Sequence, residues 1–322
     1  MLKMFSRKKM YDGSVFRRAL IIAAALAIFA GGRANAQAQG NWFSGDYRSY
    51  EYRDKLYNSY NRDRREFMDD FNPPQRGLKD GYFIQHIKDN PTAFGAKTRY
   101  LNDNWDNKYM YWAPDGFNNQ SLRPLVISLH GNDEGVEDAF ARWYHTIRQY
   151  NYAFAAPKWK SSAGVMTPGE ISVLVEGIIT ELKEKENCNV DPALVILHGY
   201  ERGANMAGYL TYYNPGGYVM TIVDSGPFPS IGAAFEAENY PSGQILSIPE
   251  DEMKKLAGCY IYLYSRYEDS AIYQKLEESK KILDAAGVVA ELNYTKGLFA
   301  GVFSELLSKS IVDLFDRAIG IK

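Results

Sequence analysis

The sequence predicts an α/β fold, a doubly wound and mostly parallel sheet, from three observations. Short apolar runs alternate with segments of helical period along residues 81–322. Several of those runs are unbroken, as strands covered on both faces require. One of them, Ala193-Leu194-Val195-Ile196-Leu197, passes through the glycine-flanked turn Gly199-Tyr200-Glu201-Arg202-Gly203 into a helical run that begins at Ala204.

Taken in order, Tyr82 to Ile87 and Lys97 to Leu101 read as early strands. Lys108 to Pro114 is a further strand with a proline stop, followed by polar residues. Pro124-Leu125-Val126-Ile127-Ser128-Leu129-His130-Gly131 is an unbroken strand and its exit. Ala139 to Tyr150 reads as a helix and Tyr152 to Pro157 as the next strand. Pro168 opens a long helix through Glu186, with Ile171, Leu174, Val175, Ile178, Ile179 and Leu182 along one face. Asp191-Pro192 leads into the strand that ends at the glycine turn. Beyond it come a strand over Tyr218–Val223, a loop region with short helices, and a strand over Cys259–Tyr264. A helix from Ile272 to Ala286 is closed by Gly287, and a strand over Val288–Tyr294 and a helix over Ser304–Ile319 complete the chain. No internal repeat is present.

The first 36 residues read as a secretory leader. Lys3, Arg7, Lys8, Lys9, Arg17 and Arg18 precede the apolar run Ala19–Ala30, and Ala34-Asn35-Ala36 is a small-x-small cleavage site, with the cut expected after Ala36. The apolar run is shorter than the roughly 20 residues that span a bilayer. No Cys stands at the start of the remaining chain, so bacterial lipid attachment is not expected. A periplasmic or secreted protein without a membrane span is therefore expected. Residues 37–80 form an N-terminal arm rich in Tyr and Arg. Over 41–76, Tyr50, Tyr57, Tyr60, Phe67 and Phe71 recur at helical spacing before Pro73-Pro74 stops the pattern. The arm is read either as a contact surface for a protein partner or as a helix packed on its own domain.

Residues 1–36 carry seven Lys/Arg and one Asp. The remainder therefore holds 30 basic against 38 acidic side chains, a net charge of −8. That balance speaks against nucleic acid as a partner. Cys188 and Cys259 each stand just before a core strand at the same end of the sheet. They are read either as a disulfide in an oxidising compartment or as two buried thiols.

Strand, glycine turn and helix are the setting of a nucleophile elbow, Gly-x-Ser-x-Gly, but Glu201 holds the middle position. Together with Tyr111-Trp112-Ala113-Pro114-Asp115-Gly116, the strand ending at His130-Gly131, and Val190-Asp191-Pro192, this order resembles the α/β-hydrolase fold. More narrowly, it is similar to secreted esterases of the feruloyl-esterase and polyhydroxybutyrate-depolymerase type. The resemblance runs from Tyr109 to the C-terminus. It implies a nucleophile at position 201, an acid at Glu268 or Asp269 and a histidine where Phe299 or Ala300 stands. It also implies an oxyanion loop at His130-Gly131-Asn132-Asp133-Glu134-Gly135, with the Arg202 amide as a second donor. The resulting pocket comprises His130, Gly131, Asn132, Asp133, Tyr200, Glu201 and Arg202.

Two of the three working groups of such a site are missing. The four histidines are His86, His130, His145 and His198, and none follows the elbow. A serine hydroxyl attacks only when an imidazole of suitable pKa takes its proton, and neither Phe nor Ala replaces that group. Glu201, Asp133 and Glu134 would also place negative charge where an oxyanion develops. The expectation is a catalytically inactive, esterase-like binding or structural protein with no cofactor and no metal. The enzymatic alternative is a hydrolase using Glu201 in place of the elbow serine. Glu201, Asp269 and Asp133 converging on a cation is a weaker alternative, against which Glu201 is read as paired with Arg202 or Arg266. His198 is read as a satisfied core histidine, His130 as a shaper of the oxyanion loop, and Ser225 as part of a structural turn. An imidazole bonded to a serine at the mouth of the sheet would overturn the inactive reading.

Overall fold

A computed structural model describes residues 80–114, 123–161, 164–184, 186, 188–229, 248–265, 271–294 and 305–320. The leader, the arm up to residue 79, and positions 266–270 and 295–304 lie outside the described residues, and with them Arg266, Glu268, Asp269, Phe299 and Ala300.

The described chain begins with helix α1 (Asp80–Asp89) and strands β1 (Lys97–Tyr100) and β2 (Lys108–Trp112). Then come β3 (Arg123–Leu129), α2 (Val136–Tyr150), β4 (Ala153–Pro157) and a small hairpin of β5 (Lys160–Ser161) and β6 (Gly164–Val165). Helix α3 (Pro168–Glu184), β7 (Val190–Tyr200), α4 (Arg202–Tyr213) and β8 (Met220–Asp224) build the centre. The last elements are β9 (Tyr260–Ser265), α5 (Ala271–Ala285), β10 (Val289–Tyr294) and α6 (Glu305–Ala318).

Eight strands form one sheet in the order β1-β2-β4-β3-β7-β8-β9-β10. From β4 to β10 every neighbouring pair is parallel, while β2 runs antiparallel to both β1 and β4. Alternate residues of each strand face opposite sides. Leu125, Ile127 and Leu129 therefore join the core under α3, α4 and α5, whereas Val126 joins the core under α2 and α6. Burial on both faces explains the continuous apolar runs.

One expected strand is a helix. Residues 82–87 lie in α1, with Ile87 fully buried and Lys88 paired with Asp138 of α2. Packing on α2 overrides the strand preference of the aromatic and β-branched residues there, and His86 and Lys88 in the last turn suit the negative end of the helix. Cys188 and Cys259 are not joined in a disulfide. They precede β7 and β9, which β8 separates, so two strand spacings of roughly 9.5 Å in all stand between them. A disulfide needs Cα atoms within about 7 Å.

Candidate functional site

The elbow is built by glycines that let β7, α4 and β3 interpenetrate. A Cβ on Gly199 would lie 1.9 Å from the Gly203 carbonyl oxygen, and one on Gly203 would lie 2.2 Å from the Leu129 carbonyl oxygen. No side chain fits either position. Between them Glu201 is held at φ 50° and ψ −110°, a conformation costly for a residue with a Cβ, of order 1–3 kcal/mol. Its amide donates to the Asp224 carbonyl (2.8 Å), and its carbonyl accepts from the Ala204 amide (3.1 Å), which opens α4. The backbone of a nucleophile elbow is thus present, and it presents an exposed carboxylate.

Glu201 reaches over the loop that follows β3. Its Oε2 lies 2.8 Å from the point where a Cβ on Gly131 would stand. The Gly131 amide is meanwhile committed elsewhere, donating to Glu134 Oε2 at 3.2 Å. Glu134 is in turn fixed by Arg142, whose Nη2 lies 2.5 Å from Glu134 Oε1 and whose guanidinium stacks 3.7 Å from the centre of the Tyr200 ring. Arg142 is buried in α2. Burial opposes its charge, but the Glu134 and Asp224 carboxylates outweigh that and hold its pKa above the ordinary value. Arg202 donates through Nη1 to Asn132 Oδ1 at 3.0 Å, which ties the start of α4 to the loop after β3. His130 is buried, its Nδ1 2.9 Å from the Gly131 carbonyl, and its own carbonyl accepts from Trp159 Nε1 at 3.2 Å. Asp133 is exposed on the same loop.

Below the elbow runs a second polar chain. His198 of β7 is fully buried, with Nδ1 2.8 Å from Ser128 Oγ and Nε2 3.4 Å from Asp224 Oδ2. Asp224 Oδ1 accepts from the Ser225 hydroxyl at 2.7 Å. A carboxylate only accepts, so Nε2 carries the proton and Nδ1 accepts from Ser128. Burial lowers the pKa of His198, keeping it neutral. Burial works the other way on Asp224, but the His198 bond and the Arg142 charge prevail and its pKa lies below the usual carboxylate range. A serine, an imidazole and a carboxylate in hydrogen-bonded sequence have the parts of a nucleophilic triad. Ser128 Oγ, however, belongs to a residue with 0% exposure inside the sheet, out of reach of any substrate carbonyl. The imidazole is a core histidine that ties β3, β7 and β8 together. Ser225 sits at φ 53° in the turn that follows β8, with its hydroxyl spent on Asp224.

The loop therefore brings His130, Gly131, Asn132, Tyr200, Glu201 and Arg202 to one place. Sequence reasoning missed Arg142 and its grip on Glu134. Its signal was an arginine within the apolar face formed by Ala139, Phe140, Trp143 and Ile147. Among the described residues, no group of three or more His, Cys, Asp or Glu side chains is arranged to hold a metal ion.

No family model and no curated protein sequence matches the chain. Solved structures do. A structure from work on two esterases of the fungus Rhizomucor miehei matches with a TM-score of 0.56 and 12% identity, over 81% of this chain and 95% of that one. An esterase, Est2, from the planctomycete Thermogutta terrifontis matches with a TM-score of 0.51 and 12% identity, over 70% and 93%. MGS-M1, an α/β hydrolase from a Medee basin deep-sea metagenome, matches with a TM-score of 0.51 and 10% identity, over 70% and 97%. The fold is that of the α/β-hydrolases.

Proposed function

We propose that this chain is an exported, catalytically silent relative of ester hydrolases, whose elbow and oxyanion loop serve binding instead of turnover. The observation that carries the reading is the filled oxyanion loop. The Gly131 amide is already given to Glu134, and the Glu201 carboxylate lies beside it. An oxyanion forming about 4 Å from Glu201 meets a repulsion of roughly 4 kcal/mol at an effective dielectric of 20. That corresponds to about a thousandfold in rate. With all four histidines at or before position 198, and the nearest to the elbow turned to the Gly131 carbonyl or sealed against Ser128, no imidazole stands ready to activate a nucleophile or water.

The test is hydrolysis of p-nitrophenyl acetate and butyrate by the purified protein. Rates equal to buffer are expected, for Glu201→Ser as well, because restoring the hydroxyl does not restore its base. Turnover that disappears in Glu201→Gln would establish the carboxylate as a working group and overturn the proposal. Export is tested by N-terminal sequencing of the protein recovered from the producing cell, with Gln37 expected first. A partner role for the Tyr/Arg-rich segment is tested by deleting residues 41–76, which is expected to leave the domain folded and to weaken co-purification of a partner.

A further inference from the structure

Trp105 is the most exposed large apolar side chain among the described residues, at 77%. It lies in the turn Leu101-Asn102-Asp103-Asn104-Trp105-Asp106-Asn107, which joins β1 to β2. The Tyr100 ring lies against it, with ring centres 4.5 Å apart and planes at 45°. Asn102, Asp103, Asn104 and Asp106 are all exposed around the pair.

The turn is held in shape before any ligand arrives. Leu101 is buried in the groove at Gly177 of α3, where a Cβ would lie 2.6 Å from Leu101 Cδ2. Asn102 and Asp103 take left-handed conformations, at φ 54° and 57°. Asn104 Oδ1 accepts from the Asp106 amide at 3.0 Å. A preset platform spends little free energy on ordering when it binds. It also faces the same edge of the sheet as the elbow. Lys108 at the start of β2 accepts from the amide of Lys158, just past the end of β4, so the turn stands at the C-terminal ends of the parallel strands. Two strands separate β2 from β7, three spacings or roughly 14 Å.

We infer that this turn is a carbohydrate-binding platform for a neutral oligosaccharide, with Trp105 and Tyr100 as the stacking face and Asn102, Asp103 and Asp106 as the hydrogen-bonding rim. The two ring faces carry negative quadrupole charge and suit the C–H face of a pyranose or furanose. The carboxamide donates and accepts and the carboxylates accept, which matches hydroxyls that do both. A protein hot spot would instead sit within an apolar patch that excludes water. The two carboxylates disfavour acidic sugars.

Affinity electrophoresis of the purified protein tests this, in gels containing xylan, mixed-linkage β-glucan or galactomannan, with polygalacturonate as the acidic control. Retarded migration is expected with at least one neutral polysaccharide. Trp105→Ala is expected to weaken that binding by about tenfold or more. Trp105→Phe should retain most of it, and Tyr213→Ala, an exposed aromatic at the far end of α4, should leave it unchanged. The ring is exposed and its loss removes only the Tyr100 contact, so Trp105→Ala should stay folded with a Tm lowered by no more than a few degrees. Absence of retardation in every neutral gel overturns the inference. So does retardation by polygalacturonate alone, equal retardation of Trp105→Ala, or a change of oligomeric state in that variant, which would assign the platform to protein contact.

Discussion

Replacing Arg142 by methionine isolates the contact that holds Glu134 against the Gly131 amide. Arg142 is 3% exposed, and its guanidinium pairs with Glu134 at 2.5 Å and covers the Tyr200 ring at 3.7 Å. Methionine keeps most of the volume and removes the charge. Breaking one side of a buried ion pair costs about 3–5 kcal/mol. The lower end applies, because the Glu134 side chain is 19% exposed and keeps the Gly131 amide. A loss of about 3 kcal/mol is expected, read from urea unfolding near neutral pH at constant m-value. Combining Arg142→Met with Glu134→Gln removes the stranded charge and should restore about 2 kcal/mol of it. A single variant within about 1 kcal/mol of wild type, or a double variant as unstable as the two single losses added, would show that the pair is not the clamp described.

Gly203→Ala places a methyl 2.2 Å from the Leu129 carbonyl, a backbone atom that cannot yield without moving β3, and should abolish soluble expression or lower Tm far more than Gly169→Ala, whose surroundings are open. His198 has a folded pKa below its unfolded value near 6.5, so the unfolded chain takes up the proton first. Stability is then complete above that pH and declines as pH falls below it, by at most about 1.4 kcal/mol per pH unit. His198→Asn should flatten that slope in Tm against pH, and an unchanged slope would place the titration elsewhere. Burial pushes the Cys188 thiol up to about 11. Ellman's reagent should therefore label Cys259 alone in the native protein and both thiols after unfolding, whereas no free thiol after unfolding would reveal a disulfide.

The sheet was readable because burial on both faces writes itself as uninterrupted apolar strands, and the elbow because its glycines are sterically compelled. The helix at residues 82–87 was not, since Tyr82-Phe83-Ile84 favours a strand locally and only packing against α2 reverses it. At the site, position 201 could be placed by counting from Gly199. The partners of Glu134 could not, because it lies in the loop before α2 and Arg142 is eight residues further on inside that helix, beyond the three- and four-residue spacings that pair side chains along a helix. Ser128 and His198 meet because β3 and β7 are in register, a fact of strand order.

The interlock of Gly199 and Gly203 with neighbouring backbone has a practical corollary. The chain path through residue 201 is dictated by main-chain atoms on either side of it, not by what residue 201 carries. Any functional group installed there, a thiol for tethering, a fluorophore or a metal-chelating amino acid, would be delivered to the same spot above the loop, making this protein a ready-made socket for designed chemistry.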